Sequence, residues 1–83
     1  MEKGTVIAVN PRNLRLVVAV DGDSCAVFEL GAPAAVEAGH RLRGKLEPDL
    51  CFVLENLTTG AMLDVVPLGL HASPAQALRA AGL

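Results

Sequence analysis

The chain has 83 residues, which is room for one domain with a modest hydrophobic core. Its formal net charge of −2 provides no long-range field to collect polyanions, which argues against a strong nucleic-acid binder. Apolar residues make up 52% of the chain and its mean hydropathy is +0.44, so we expect a partner, most simply a second copy, to cover some apolar surface.

The first predicted element is a strand over residues 3–10. Alternation along this segment places Thr5, Ile7 and Val9 on one face. A turn is expected at residues 10–13, because proline fixes φ and asparagine tolerates unusual backbone angles.

Two alternating runs follow, at residues 14–20 and 24–30. The short segment Asp21-Gly22-Asp23 joins them, and an Asp-Gly turn between alternating runs is the strongest local signal of a β-hairpin. Both faces of the first run are largely apolar. Such a strand is typical of cover on two sides, as in a barrel with an oligomer contact.

The second half of the chain predicts a connector and three more strands. The connector covers residues 31–39 and has room for one short helical turn. Alternation then predicts strands over residues 41–46, 50–57 and 61–68, separated by turns at 47–49 and 58–60.

The tail predicts a short helix. Its signals are Ser73 as the N-cap, Pro74 in the first position, Gln76 at capping-box spacing and Gly82 as the stop. A helix of this length is marginal alone. We therefore expect it to dock through Leu78, together with Leu83, on the barrel or on a neighbouring molecule.

Three segments carry a resemblance to a known family. The opening Lys3-Gly4-Thr5-Val6 with Asn10, the run Ala26-Val27-Phe28-Glu29-Leu30, and Glu37-Ala38-Gly39-His40-Arg41-Leu42 resemble cold-shock domains in order and spacing over residues 3–57. Five or six short strands with brief turns predict one antiparallel barrel or sandwich. With the resemblance, this indicates an all-β fold, a small antiparallel OB-like barrel of five or six strands over residues 1–72. Residues 73–83 form the C-terminal helical tail. An SH3-type barrel is the alternative.

The resemblance also implies a site for single-stranded nucleic acid. Cold-shock domains stack bases on aromatic residues of their first two strands. At the corresponding positions this chain has Ile7-Ala8-Val9 and Leu14-Arg15-Leu16-Val17, which are not aromatic. Only Phe28 matches an aromatic position of the family. Stacking on aromatic side chains contributes about 1–3 kcal/mol per base to binding. A chain without most of these aromatic residues is therefore expected to lose most of the affinity that stacking provides.

Basic side chains form the remaining candidate interface. Arg41, Arg43 and Lys45 lie at i, i+2 and i+4, which places them on one face of a strand. In a cold-shock-like barrel, Arg12 and Arg15 would lie on the same side. Such a stripe could contact phosphates, whereas the alternative interpretation is an ordinary solvated strand face.

Metal, cofactor and catalytic sites are not expected. His40 and His71 lack zinc-site spacing with Cys25 and Cys51, and the acidic hairpin turn lacks a calcium-loop ligand repeat. Hydroxyl side chains sit at turn or cap positions, and no phosphate loop or nucleophile elbow is present. We therefore expect a protein that is not an enzyme.

The compartment is predicted from what the sequence lacks. It shows no secretory signal and no apolar stretch of membrane-spanning length, and both cysteines sit singly in apolar runs. These features predict a cytoplasmic protein with reduced cysteines.

Two functions remain as hypotheses. The first is a non-catalytic structural or interaction module that self-associates, most simply as a dimer. The alternative is a weak single-stranded nucleic-acid binding protein of cold-shock-like type that uses Arg12, Arg15, Phe28, Arg41, Arg43 and Lys45.

Overall fold

The structure is a computed structural model that describes residues 2–20, 24–44 and 53–83. These described residues form six strands and one helix: β1 (Glu2–Asn10), β2 (Arg15–Val20), β3 (Cys25–Leu30), β4 (Arg41–Gly44), β5 (Val53–Asn56), β6 (Met62–His71) and α1 (Pro74–Ala80). The predicted turns at 21–23 and 47–49, Lys45 and Cys51 lie outside the described residues.

The six strands form a closed antiparallel barrel in the order β1-β2-β3-β6-β5-β4, and β4 returns to pair with β1. The β2–β3 hairpin is confirmed, with Leu16 opposite Phe28. The prediction of an all-β barrel with a short C-terminal helix is thus confirmed, and the closed six-stranded barrel is compatible with an OB-like arrangement.

The barrel interior follows from strict alternation on β2 and β3. Leu16 and Val18 point inward from β2, and Ala26, Phe28 and Leu30 point inward from β3, all buried. Leucines from β4, β5 and β6 complete this mostly aliphatic core. Each fully buried side chain of this size contributes about 1.5–3 kcal/mol of transfer free energy.

Strand β1 departs from the predicted alternation. The register of β1 with β2 shifts between Val6 and Ala8, so Ile7 occupies a β-bulge. Ile7 is 37% exposed, whereas Val9 packs against the barrel core. The expectation that Ile7 and Val9 share a face is therefore wrong, because one extra residue reverses the side-chain parity.

Helix α1 covers the outer face of β2 and β3. Ala77 and Ala81 are fully buried there against Val17, Cys25 and Val27. The apolar outer face that predicted an oligomer contact at β2 is thus covered by the chain's own tail. Leu78 packs against the same cluster while partly buried, as expected, whereas Leu83 is 55% exposed, so the expectation of an anchor at Leu83 is wrong.

The helix ends carry the expected signals. The Ser73 hydroxyl accepts from the backbone N–H of Gln76, which confirms the N-cap. At the other end Gly82 has φ +82°, its N–H donates to the carbonyl of Arg79, and the N–H of Leu83 donates to that of Leu78. These two bonds are the Schellman motif that terminates a helix at glycine.

The connector of residues 31–39 contains no helix. Its residues 31–35 are exposed, and Val36 inserts into the barrel core at 6% exposure. Gly39 donates a backbone hydrogen bond to the carbonyl of Val6, which fixes the end of the connector against β1. The expectation of a helical turn is therefore wrong. The buried side chain of Val36 and the hydrogen bond of Gly39 to the β1 backbone hold the segment instead.

Candidate interaction surface

The aromatic candidate lies inside the barrel. Phe28 has 0% exposure and is the largest fully buried side chain among the described residues. A ring without accessible surface offers no platform for a base, so Phe28 leaves the candidate nucleic-acid interface. Its matching position in the cold-shock pattern reflects a core residue here.

Arg15 is committed to internal contacts. Its Nε lies 3.3 Å from Oε1 of Glu29, and its Nη1 donates to the carbonyl of Ala80 at the end of α1. A cation at a helix C-terminus is favourable because the exposed carbonyls carry partial negative charge. Arg15 therefore fastens the helix to the barrel.

Two asparagines complete the attachment of α1. Asn10 and Asn13 each donate from Nδ2 to the carbonyl of Ala81, over 2.8 and 3.1 Å. Their Oδ1 atoms accept from the backbone N–H groups of Arg12 and Arg15. The β1–β2 turn thus supplies the donors for the final helical carbonyls. Sequence reasoning recognised the turn residues but missed this role, since their partners lie about 70 residues away.

The remaining basic side chains lie on β1 and β4. Lys3 pairs with Arg43, and Thr5 pairs with Arg41, across the antiparallel register. Arg43 forms an ion pair with Glu55, and Nη1 of Arg41 donates to Oγ1 of Thr5. Of the predicted basic stripe, the structure thus brings together Arg41 and Arg43, joined by Lys3.

Arg12 and Arg15 lie at the other end of the barrel wall. Arg15 pairs with Asn10, whereas Arg41 pairs with Thr5, and these two β1 positions are separated by about 15 Å at the usual rise per residue. Arg12 is exposed in the β1–β2 turn. The expectation that they join Arg41 and Arg43 in one stripe does not match this register.

Apolar side chains form a second candidate surface, on the outside of β5 and β6. Met62, Val66 and Leu68 of β6 are 65%, 51% and 43% exposed, and Val53 of β5 is 46% exposed. Val53 lies directly opposite Asp64, whose strand neighbours two positions away are Met62 and Val66. We call these four apolar residues the β6 patch.

Charged pairs border the β6 patch on both sides. Met62 lies opposite Glu55, which pairs with Arg43 on the next strand. Val66 lies opposite Glu29, which pairs with Arg15 on the next strand. Apolar side chains with a charged rim are the usual anatomy of a protein–protein interface, although the β6 patch also holds the carboxylate of Asp64 between Met62 and Val66.

The sequence held a signal for this surface. The run Met62-Leu63-Asp64-Val65-Val66 is largely apolar on both faces of its strand apart from Asp64, and β2 is likewise largely apolar on both faces. One face of each strand must point out of a closed barrel. Only the structure shows that α1 covers the outer face of β2 and leaves Met62 and Val66 exposed.

A cavity of about 410 Å³ lies beside the connector. It is lined by Ala34, Ala35, Val36, Glu37, His40 and Thr59. The backbone N–H of Glu37 donates to Nδ1 of His40, and Nδ2 of Asn56 lies 3.1 Å from the same nitrogen. The neutral ring therefore carries its proton on Nε2, which lies 3.9 Å from the Glu37 carboxylate.

The cavity has the size of a small-ligand site but few polar groups. Asn56 is fully buried, and its Oδ1 accepts from the backbone of Thr58 and Thr59, which fixes its orientation toward His40. These bonds join the connector to the β5–β6 turn. We interpret this network as structural.

Neither a cluster of metal ligands nor a membrane-spanning helix occurs in the described parts of the chain. Within residues 2–20, 24–44 and 53–83, no three His, Cys, Asp or Glu side chains come together in a metal-binding arrangement. Over the same ranges, no helix has the length and apolar character needed to cross a membrane. Cys25 is a free, buried cysteine beneath α1.

Comparison with known proteins identifies no family for this chain: no family model, no curated protein and no solved structure matches it.

Proposed function

We propose that this protein is a small, non-catalytic interaction module that associates with a second copy of itself through the β6 patch. The observation that carries the proposal is the exposure of Met62, Val66 and Leu68 on one strand, beside Val53. Large apolar side chains grouped on the outside of a small domain mark an interaction site.

The rim of the patch favours a second copy as the partner. Each side carries one arginine and one glutamate, Arg43 with Glu55 and Arg15 with Glu29, so the rim has no net charge. A two-fold related copy would present the same apolar side chains and the same alternating charges, with the Asp64 carboxylate between Met62 and Val66. Two-fold contacts are self-complementary and are the commonest form of protein oligomer.

Substitution of Val66 by Glu tests the proposal. Val66 is half exposed, so the barrel should fold with Glu at this position, whereas burying a carboxylate in the contact would be costly. We expect sedimentation velocity over a concentration series to show a dimer for the natural chain and a monomer for Val66→Glu.

The control is Leu83→Glu, the same kind of change at an apolar residue of 55% exposure beyond α1. This variant should retain the natural dimer. A natural chain that remains monomeric at high concentration, or equal effects of the two substitutions, would contradict the proposal.

A second candidate function is weak binding of single-stranded nucleic acid, as in cold-shock domains. It is supported by the cross-strand neighbours Lys3 and Arg43, and by Arg41, which lies two residues before Arg43 on the same face of β4. These cations could contact a phosphate backbone with affinity that falls as salt rises. The ion pair of Arg43 with Glu55 reduces the charge available for such contacts.

Fluorescence anisotropy with single-stranded RNA and DNA at low and moderate salt tests this candidate. We expect Lys3→Glu to weaken the binding of single-stranded nucleic acid. The control Arg79→Glu, a charge reversal at an exposed residue of α1, should leave the binding unchanged. If no saturable binding is seen up to about 50 µM protein, nucleic-acid binding is excluded as the function.

A further inference from the structure

Asp64 lies at the centre of the β6 patch. It is exposed on the outer face of β6, opposite Val53 and between Met62 and Val66 on its own strand. On the β3 side, the nearest neighbour is Gly31, whose N–H donates to the Asp64 carbonyl and which has no side chain. Among the described residues, the neighbours of this carboxylate on β5, on β6 and in the connector are therefore apolar or lack a side chain.

The other outward carboxylates around the patch have cationic partners. Glu29 pairs with Arg15 and Glu55 pairs with Arg43, whereas within the described ranges the Asp64 side chain has no ion pair or hydrogen bond. Because the side chain is exposed, the carboxylate is hydrated in the single chain. Any partner that covers the patch must remove that water.

We propose that Asp64 limits the strength of self-association through the β6 patch; this inference rests on the proposed function. A two-fold contact centred on the patch brings the two Asp64 carboxylates together, and neither has a cationic partner among the described residues of its own chain. Loss of water and mutual repulsion both oppose the contact. The charge thus keeps the association weak and reversible.

The test is Asp64→Asn, which retains the shape of the side chain and removes its charge. We expect the dimer dissociation constant from sedimentation equilibrium to fall at least about tenfold, which corresponds to about 1.4 kcal/mol. The control is Glu37→Gln, the same loss of charge on a side chain that is 84% exposed and lies outside the patch. This control should leave the dissociation constant unchanged.

Salt provides a second measurement. Raising NaCl screens repulsion between the two carboxylates, so the natural dimer should tighten, and the Asp64→Asn dimer should respond less. Circular dichroism of both variants confirms that the barrel is retained.

The outcomes separate the two proposals. A natural dimer that Val66→Glu abolishes and Asp64→Asn leaves unchanged would overturn the role of Asp64 alone. A dimer that Asp64→Asn weakens would overturn it as well, since Asp64 would then pair with a cation of the partner. Lack of a natural dimer would overturn the proposed function.

Discussion

Residues of one type take different roles in this barrel because their neighbours differ. Arg12 lies exposed in a turn, whereas Arg15, three residues later, holds Glu29 and the end of α1. Asn56 is fully buried and Asn13 half buried, although each accepts backbone hydrogen bonds through Oδ1. The contribution of each of these hydrogen bonds to the free energy of unfolding depends on burial, because water can replace the partner of an exposed group.

Asn56→Ala tests this at the buried position. The substitution removes the acceptor for the N–H groups of Thr58 and Thr59 and leaves a small cavity. We expect the free energy of unfolding to fall by about 1–3 kcal/mol in urea denaturation followed by circular dichroism. The matched change Asn13→Ala, at a half-buried asparagine, should cost less. Equal losses would contradict the argument from burial.

The residue types of the basic stripe could be predicted from the sequence, but their partners could not. Alternation correctly indicated that Arg41 and Arg43 share a face of β4, with Leu42 buried between them. Whether Arg15 joins them depends on the strand register, which local patterns do not specify. Phe28 matched a family position, yet its parity on β3 points it inward.

At the scale of elements, α1 depends on the barrel for its stability. A helix of seven residues is marginal in water, and its fully buried residue is an alanine, which buries little area, with Leu78 only partly buried beside it. Polar contacts at its C-terminal end therefore carry much of the attachment. Gly82 is central to them, because its backbone adopts φ +82° beside the donors of Asn10 and Asn13.

Gly82→Ala should destabilise the protein more than the same change at Gly60. Both glycines have left-handed φ, where alanine costs about 1–2 kcal/mol. A Cβ at Gly82 would lie 3.1 Å from Nδ2 of Asn10, whereas one at Gly60 meets nothing within 4 Å. We expect about 1 kcal/mol of additional loss at Gly82, the value of one displaced hydrogen bond, in urea denaturation.

A local measurement accompanies the global one. Cys25 lies beneath α1 at 4% exposure, so its reaction with a thiol reagent reports opening of the helix. In a Cys51→Ser background, Gly82→Ala should increase the reaction rate and Gly60→Ala should not. Equal rates in the two variants would contradict the proposed role of Gly82 in holding α1.

For the whole molecule, strand alternation and turn chemistry predicted a barrel with a terminal helix, and both are present. The sequence could not show which outer faces the chain covers itself, because α1 meets β2 and β3 through contacts distant in sequence. Part of the apolar excess lies beneath α1 and part lies in the exposed β6 patch. The composition gives the total apolar content of the chain but not where the apolar side chains lie.

Strand β6 also determines when the barrel can close. Without it, the remaining pairings give an open sheet in the order β3-β2-β1-β4-β5, and β6 pairs with both outer strands. During synthesis from the N-terminus, a nascent chain that ends before residue 62 therefore leaves the edges of β3 and β5 unpaired. Unpaired edges are where strands from other chains add. Addition of β6 replaces those two reactive edges with a continuous wall.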